Sequence, residues 1–185
     1  MVEKKLGRLN REDWLKAAAE QLRVAGIDGI KIAPLAAQIG VTTGSFYWHF
    51  KNRMELLIAL LGYWEQTMTT NPITVARKFK GSPKDRILIM MEQVLNNRLA
   101  EYDLAIWHWS QTDVTAQKVF KRVLEKRFSF ARWMFMEAGF TREQSQVRGR
   151  MMVVYLMGES TLIPDSMSKR KETLKINHAI LTHEF

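Results

Sequence analysis

A chain of 185 residues that is 46% hydrophobic and 25% charged has enough apolar surface to bury a real core, which excludes disorder as its dominant state. No apolar run reaches the roughly 18 residues of a membrane span, the first residues lack the apolar stretch of a secretory leader, and the absence of cysteine excludes disulfides, thiolate metal sites and a thiol nucleophile. The net charge of +9 suits a polyanionic partner or simply a soluble basic protein, and it is spread along the chain: 9 basic against 6 acidic residues in 1–62, and 19 against 13 in the remainder. A cytoplasmic protein with no membrane partner is expected.

In chain order, the first helix is expected over Arg11–Val24. Trp14, Leu15, Ala18 and Leu22 recur at helical spacing, Asn10 caps the start, and Gly26 stops the end. Lys4, Lys5, Arg8 and Arg11 form a basic lead-in, either a groove-binding arm or a solvated start. A short second helix carries Pro34 in its first turn, buries Leu35, Ala36 and Ile39, and ends at Gly40. Thr42 caps a third helix from Thr43 to about Phe50. Asn52 caps a fourth, through Leu56, Leu57, Leu60, Leu61 and Trp64, that closes at Asn71-Pro72. Gly81-Ser82-Pro83 opens a helix running to about Tyr102, and Leu104–Gln111 and Val114–Ala138 follow. Thr141 with Gln144 has the spacing of a capping box for a helix to about Thr161, and Ser168–Phe185 is the last. No segment alternates like a strand. The expected fold is all-α with about nine helices.

Ala36, Gly40 and Phe46 have the spacing of a helix-turn-helix. A small residue lets two helices lie close, glycine supplies a left-handed turn residue at no steric cost, and phenylalanine plugs the second helix into the core. The second helix of such a unit enters the major groove with its N-terminal residues against base edges. Here these are Thr42, Thr43, Gly44 and Ser45, short and polar.

The longer stretch is more specific. It reads Ala17-Ala18-Ala19-x-x-Leu22, then Gly26, then Leu35-Ala36 and Gly40-Val-Thr-Thr-Gly-Ser-Phe-Tyr-Trp-His-Phe-Lys-Asn-Arg-x-x-Leu-Leu57. This resembles the tetracycline-repressor (TetR) family of transcriptional regulators. The resemblance implies groove contacts by Thr42, Thr43 and Ser45, a phosphate or base contact by Tyr47, and a phosphate contact by His49. The family's backbone-binding lysine corresponds to Arg53, with Lys51 beside it, and Phe46 and Phe50 correspond to buried positions. Gly44 and Trp48 complete the implied DNA-facing set. Two departures stand out: Ile30–Pro34 replaces the usual hydroxyl and arginine, leaving Lys31 as the substitute contact, and Met54 replaces an acidic residue. The implied organisation is a helix-turn-helix domain over 1–52 and a ligand-binding and dimerisation domain over 53–185.

In the second part, Met90, Met91, Trp107, Trp109, Trp133, Met152 and Tyr155 suit either plain core or the wall of an effector pocket, since methionine adapts to shape and a tryptophan face also holds a cation. An apolar effector, aromatic or cationic, is expected. Val147, Met151, Val154, Gly158 and Leu162, with Leu174, Asn177 and Leu181 and with Ile176 and Ile180 beside them, form stripes suited to internal packing or to a four-helix dimer interface. No metal-ligand spacing, cofactor loop or catalytic constellation is visible. The reading is a homodimeric, ligand-released repressor on a palindromic operator. The rivals are an all-α small-molecule-binding protein or enzyme with a purely structural helix-turn-helix, and a protein-binding helical adaptor.

Overall fold

A computed structural model describes residues 10–162 and 165–183. The basic residues Lys4, Lys5 and Arg8 lie outside them. The described residues are helical throughout, without strands. They fall into two compact units, the first ending at Tyr63 and the second beginning at Trp64.

The first unit opens on α1 (Arg11–Ala25). The Asn10 side chain accepts from the Glu12 and Asp13 amides, and Asp13 accepts from the Asn10 amide, so both ends of the capping box close. A 3₁₀ turn (Ile27–Gly29) leads to α2 (Ile32–Ile39), then α3 (Thr43–Phe46), and α4 (Arg53–Glu65) begins behind the Asn52 cap. Trp14, Leu22, Ile30, Leu35, Phe46, Phe50, Leu56 and Leu60 are fully buried. Arg11, exposed in the first turn of α1, holds its guanidinium over the Phe50 ring at 4.7 Å.

Asn71-Pro72 does not close the fourth helix. After α4 come a π-helical segment (Gln66–Thr70) and α5 (Asn71–Lys78), and Glu65, Thr70 and Asn71 all keep right-handed helical angles. A proline inside a helix removes one amide donor and crowds the carbonyl one turn before it. The wider π turn before Pro72 is the kind of local widening that accommodates this. Counted as one run, these segments make nine helices among the described residues. They continue with α6 (Pro83–Asn96), α7 (Asp103–Ser110), α8 (Val114–Glu137), α9 (Arg142–Leu162) and α10 (Met167–Thr182).

α6 ends six residues earlier than its apolar pattern suggests. Arg98 turns left-handed at φ 55°, and the Leu99 amide reaches back to the Val94 carbonyl at 3.0 Å, a Schellman closure without glycine. α8 and α9 form a tight antiparallel pair in which a Cβ on Gly149 would lie 2.9 Å from the Arg132 backbone nitrogen, so only glycine permits that approach.

A polar network spans the same unit. Arg127 grips buried Asp103 with two bonds at 2.6 and 3.1 Å, Trp64 donates to the same carboxylate, and Arg127 also reaches Thr69 in the π segment. Glu65 takes Arg122 and Lys126, and these bonds hold its carboxyl below the usual range against the opposing effect of burial.

Candidate nucleic-acid interface

Gly40 sits at φ 75°, ψ 33°, and the Val41 amide donates to the Ala36 carbonyl at 2.9 Å. This closure ends α2 and turns the chain sharply into α3. α3 is shorter than expected: regular helix stops at Phe46, and turns carry the chain through Tyr47–His49 to Phe50. Thr42 takes the N-cap position with extended backbone, but its side chain makes no capping bond.

Phe46 anchors this element. It meets Trp14 edge-on at 5.3 Å, stacks on Phe50 at 5.4 Å, and takes Tyr47 edge-on at 5.3 Å. With Phe46 turned inward, Thr42, Thr43, Gly44, Tyr47 and Trp48 are exposed, and Ser45 and His49 are half-exposed. Trp48 is 86% exposed and Tyr47 61%, an unusual outlay of aromatic surface for residues that fold could have buried. Lys51 and Lys31 are exposed, at the start of α4 and the cap of α2.

Arg53 is placed differently from its neighbours. Its guanidinium donates to the carbonyls of Ile30 and Ile27, both at 2.6 Å. It thus staples the 3₁₀ turn to α4. The Ile27 carbonyl also accepts the Ile30 amide at 3.2 Å, so the charged donor reinforces that turn while reaching the Ile30 carbonyl as well. Two of the guanidinium's nitrogens are committed to these carbonyls, and Lys51 beside it is exposed.

The sequence-predicted pocket residues do not gather at one place. A cavity of about 40 Å³ in the second unit has Met90 and Met152 in its wall, with Met68, Ile73 and Phe130. Met91 is fully buried beside it in the same core. Trp109 is buried apart from that core, and Trp107 is half-exposed, lining a surface groove with Val154 and Leu162. Trp133 stacks on Phe130 at 5.3 Å, outside the cavity wall. Tyr155 packs on the core; burial, with Glu159 adding to it and Asn177 opposing, pushes its phenol up to about 12. Met68, Ile73 and Phe130 were missed because no local pattern separates a cavity wall from the core around it.

The interface stripes divide. On α9, Val147, Met151, Val154 and Leu162 are exposed, and open space lies above Gly158. On α10, Leu174 and Leu181 point into the chain's own core, and Asn177 is half-buried with its amide on the Thr173 carbonyl. Ile176 and Ile180, the pair beside that stripe and one position removed from it, are exposed.

Fold and site together define a helix-turn-helix domain followed by a separate helical domain. Residues 15–60 match the family described as "Bacterial regulatory proteins, tetR family". Over 55 residues it is 46% identical to the tetracycline repressor protein class D of Escherichia coli, a match that takes in 30% of this chain and 25% of that repressor. The chain thus spans only about a quarter of the length of the curated relative it matches there. Two solved structures extend the likeness of fold to nearly the whole chain. A TetR transcriptional regulator from Legionella pneumophila superposes with a TM-score of 0.77 at 15% identity, covering 95% of this chain and 97% of that one. AibR, solved with isovaleryl coenzyme A and operator DNA, gives 0.69 at 18% identity, covering 95% and 99%. Among the described residues no helix is long and apolar enough to cross a membrane.

Proposed function

We propose that this protein is a cytoplasmic, homodimeric repressor that binds a palindromic operator and is released from it by a small-molecule effector. It regulates transcription and catalyses no reaction. The observation that carries the reading is the row Thr42, Thr43, Gly44, Ser45, Tyr47 and Trp48. It is held outward by buried Phe46 at the end of a helix turned by left-handed Gly40. Short polar side chains at a helix N-terminus let backbone amides approach phosphate and let the hydroxyls reach base edges. Tyr47, Trp48, His49, Lys51 and Lys31 flank that row and serve the sugar-phosphate backbone. That AibR was solved with operator DNA supports the same assignment here.

Dimerisation uses the exposed apolar row of α9, Val147, Met151, Val154 and Leu162, together with Ile176 and Ile180 of α10. Two such helices from each protomer make a two-fold interface, in which one patch meets its own copy. The effector occupies the methionine-walled cavity, which at about 40 Å³ holds little more than water until its flexible side chains move apart. Selection of bound duplexes from a random pool tests the reading: recovery of an inverted repeat is the expected result. Recovery of asymmetric sites, or of none, would overturn it.

A further inference from the structure

We infer that the effector is an amphipathic anion, a slender apolar body carrying one carboxylate or phosphate head, and that Arg77 and Arg86 receive the head. The inference rests on the effector-responsive reading above and gives the effector its chemical class.

Three helices present the same two-level arrangement. On α5, Ile73 lines the cavity and Arg77 stands one turn further on. On α6, which follows α5 through a four-residue turn, Met90 lines the cavity and Arg86 stands one turn nearer that turn. On α8, Phe130 lines the cavity and Trp133 lies three residues on, with the two rings stacked. The upper level closes around Trp133: Arg77 and Arg86 each hold a guanidinium 5.1 Å from its ring centre. Arg77 also lies 5.3 Å from the Phe130 ring, so the cation borders the cavity wall itself.

Neither arginine is neutralised by a carboxylate among the described residues. Among the described residues Arg77 meets the two rings. Arg86 places one weak bond, at 3.3 Å, on the Phe79 carbonyl, and its Nε and Nη1 are buried without a partner. Buried guanidinium donors without acceptors are costly, and an arriving oxyanion relieves that cost. Beside Arg77 and Arg86 the segment 77–86 carries Lys78 and Lys80, and the carboxylate of Asp85 is taken by the Ser82 hydroxyl. Arg127, the cation within the cavity wall, is already paired to Asp103 and leaves the interior electrically closed. The site therefore offers apolar volume below and unspent positive charge above. The same geometry argues against the cationic effector that Trp133 alone suggests, because two guanidiniums already stand 5.1 Å from its ring centre.

Calorimetric titration of the full chain with octanoate, octyl phosphate, octanol and octylammonium tests the class. At least one of the two anions should bind about tenfold or more tightly than octanol, as one well-made charged hydrogen bond requires, and octylammonium should bind weakest. R77Q and R86Q should each erase most of that preference while leaving octanol affinity in place, which also certifies their fold. Should R86Q lose octanol as well, R77Q, on an exposed residue, decides alone. Anions that bind no better than octanol, no binding by any of the four, or a preference that survives R77Q would overturn the inference. These titrations need no DNA. Anion binding in a protein that selects no operator leaves the site standing and removes the regulatory reading. Operator release by octanol or octylammonium with no anion preference does the reverse.

Discussion

At the scale of single residues, neighbours in sequence have separate tasks. Lys51 and Arg53 look interchangeable as basic residues, yet Lys51 is exposed and Arg53 spends its guanidinium on two carbonyls. Lys51→Ala should weaken binding to all duplexes alike and shallow the salt dependence by about one unit. Arg53→Ala should instead destabilise the first unit by about 2 kcal/mol, the worth of a charged donor lost from part-buried carbonyls. Thermal melts and salt-dependent binding on the same two variants separate these effects. Thr43→Ala and Ser45→Ala should change which base is preferred, at about 1–3 kcal/mol for a lost base contact, read from a matrix of operator point mutants.

Two ionisable residues set pH limits of opposite sign. The Glu65 carboxyl titrates below its unfolded value, so its contribution to stability is present above that value and lost as pH falls through the folded one. Tyr155, raised to about 12, contributes below the ordinary tyrosine value of 10.0 and loses that contribution as pH climbs toward 12. Denaturant melts across pH should show Glu65→Gln flattening the acid limb and Tyr155→Phe flattening the alkaline one.

At the scale of elements, legibility followed the range of the interaction. Asn10 with Asp13, Ser82 and Thr141 with Gln144 each cap a helix through atoms two or three residues away, and those starts stand where the pattern puts them. The left-handed turn at Gly40 is equally local. The π segment before Pro72 and the glycine-free closure at Arg98 depend on how the chain is held from outside, and no residue type there announces them. The same limit applies to sites. The hydroxyls of the turn were visible because their neighbours fix their direction, whereas the partner of Arg127 lies 24 residues away and that of Arg122 57 away. The α10 stripe was displaced by one position, which on a helix turns a face through about 100°, and Leu174 and Leu181 point inward as a result.

Two glycines of α9 make a paired prediction. Gly149→Ala forces a methyl against the α8 backbone and should cost about 1–3 kcal/mol through overpacking. Gly158→Ala meets open space and should stabilise the isolated protomer by about 0.5–1 kcal/mol through helix propensity. If the α9 row is the dimer seam, the Gly158 variant should also dissociate more readily, which sedimentation at graded concentration will register.

At the scale of the whole molecule, the proposed regulation is a linkage between two binding equilibria. An effector that releases the operator must bind the DNA-free protein more tightly, by the same factor that it weakens DNA. Titrating effector with and without operator, and operator with and without effector, should return one shared factor. Val154→Glu should abolish both dimer and operator binding while leaving the helical signal of the protomer unchanged, since this side chain is exposed in the single chain.

The close seam between α8 and α9 bears on how the chain reaches its native state. The two helices, 24 and 21 residues long, are joined through only Ala138–Thr141, and Gly149 lets their backbones meet without a side chain between them. A pairing so near in sequence loses little loop-closure entropy and needs no distant segment in place first. It is the natural nucleus of the second unit. Gly149→Ala should accordingly slow refolding by nearly the whole of its stability loss and leave the unfolding arm of the chevron almost unmoved.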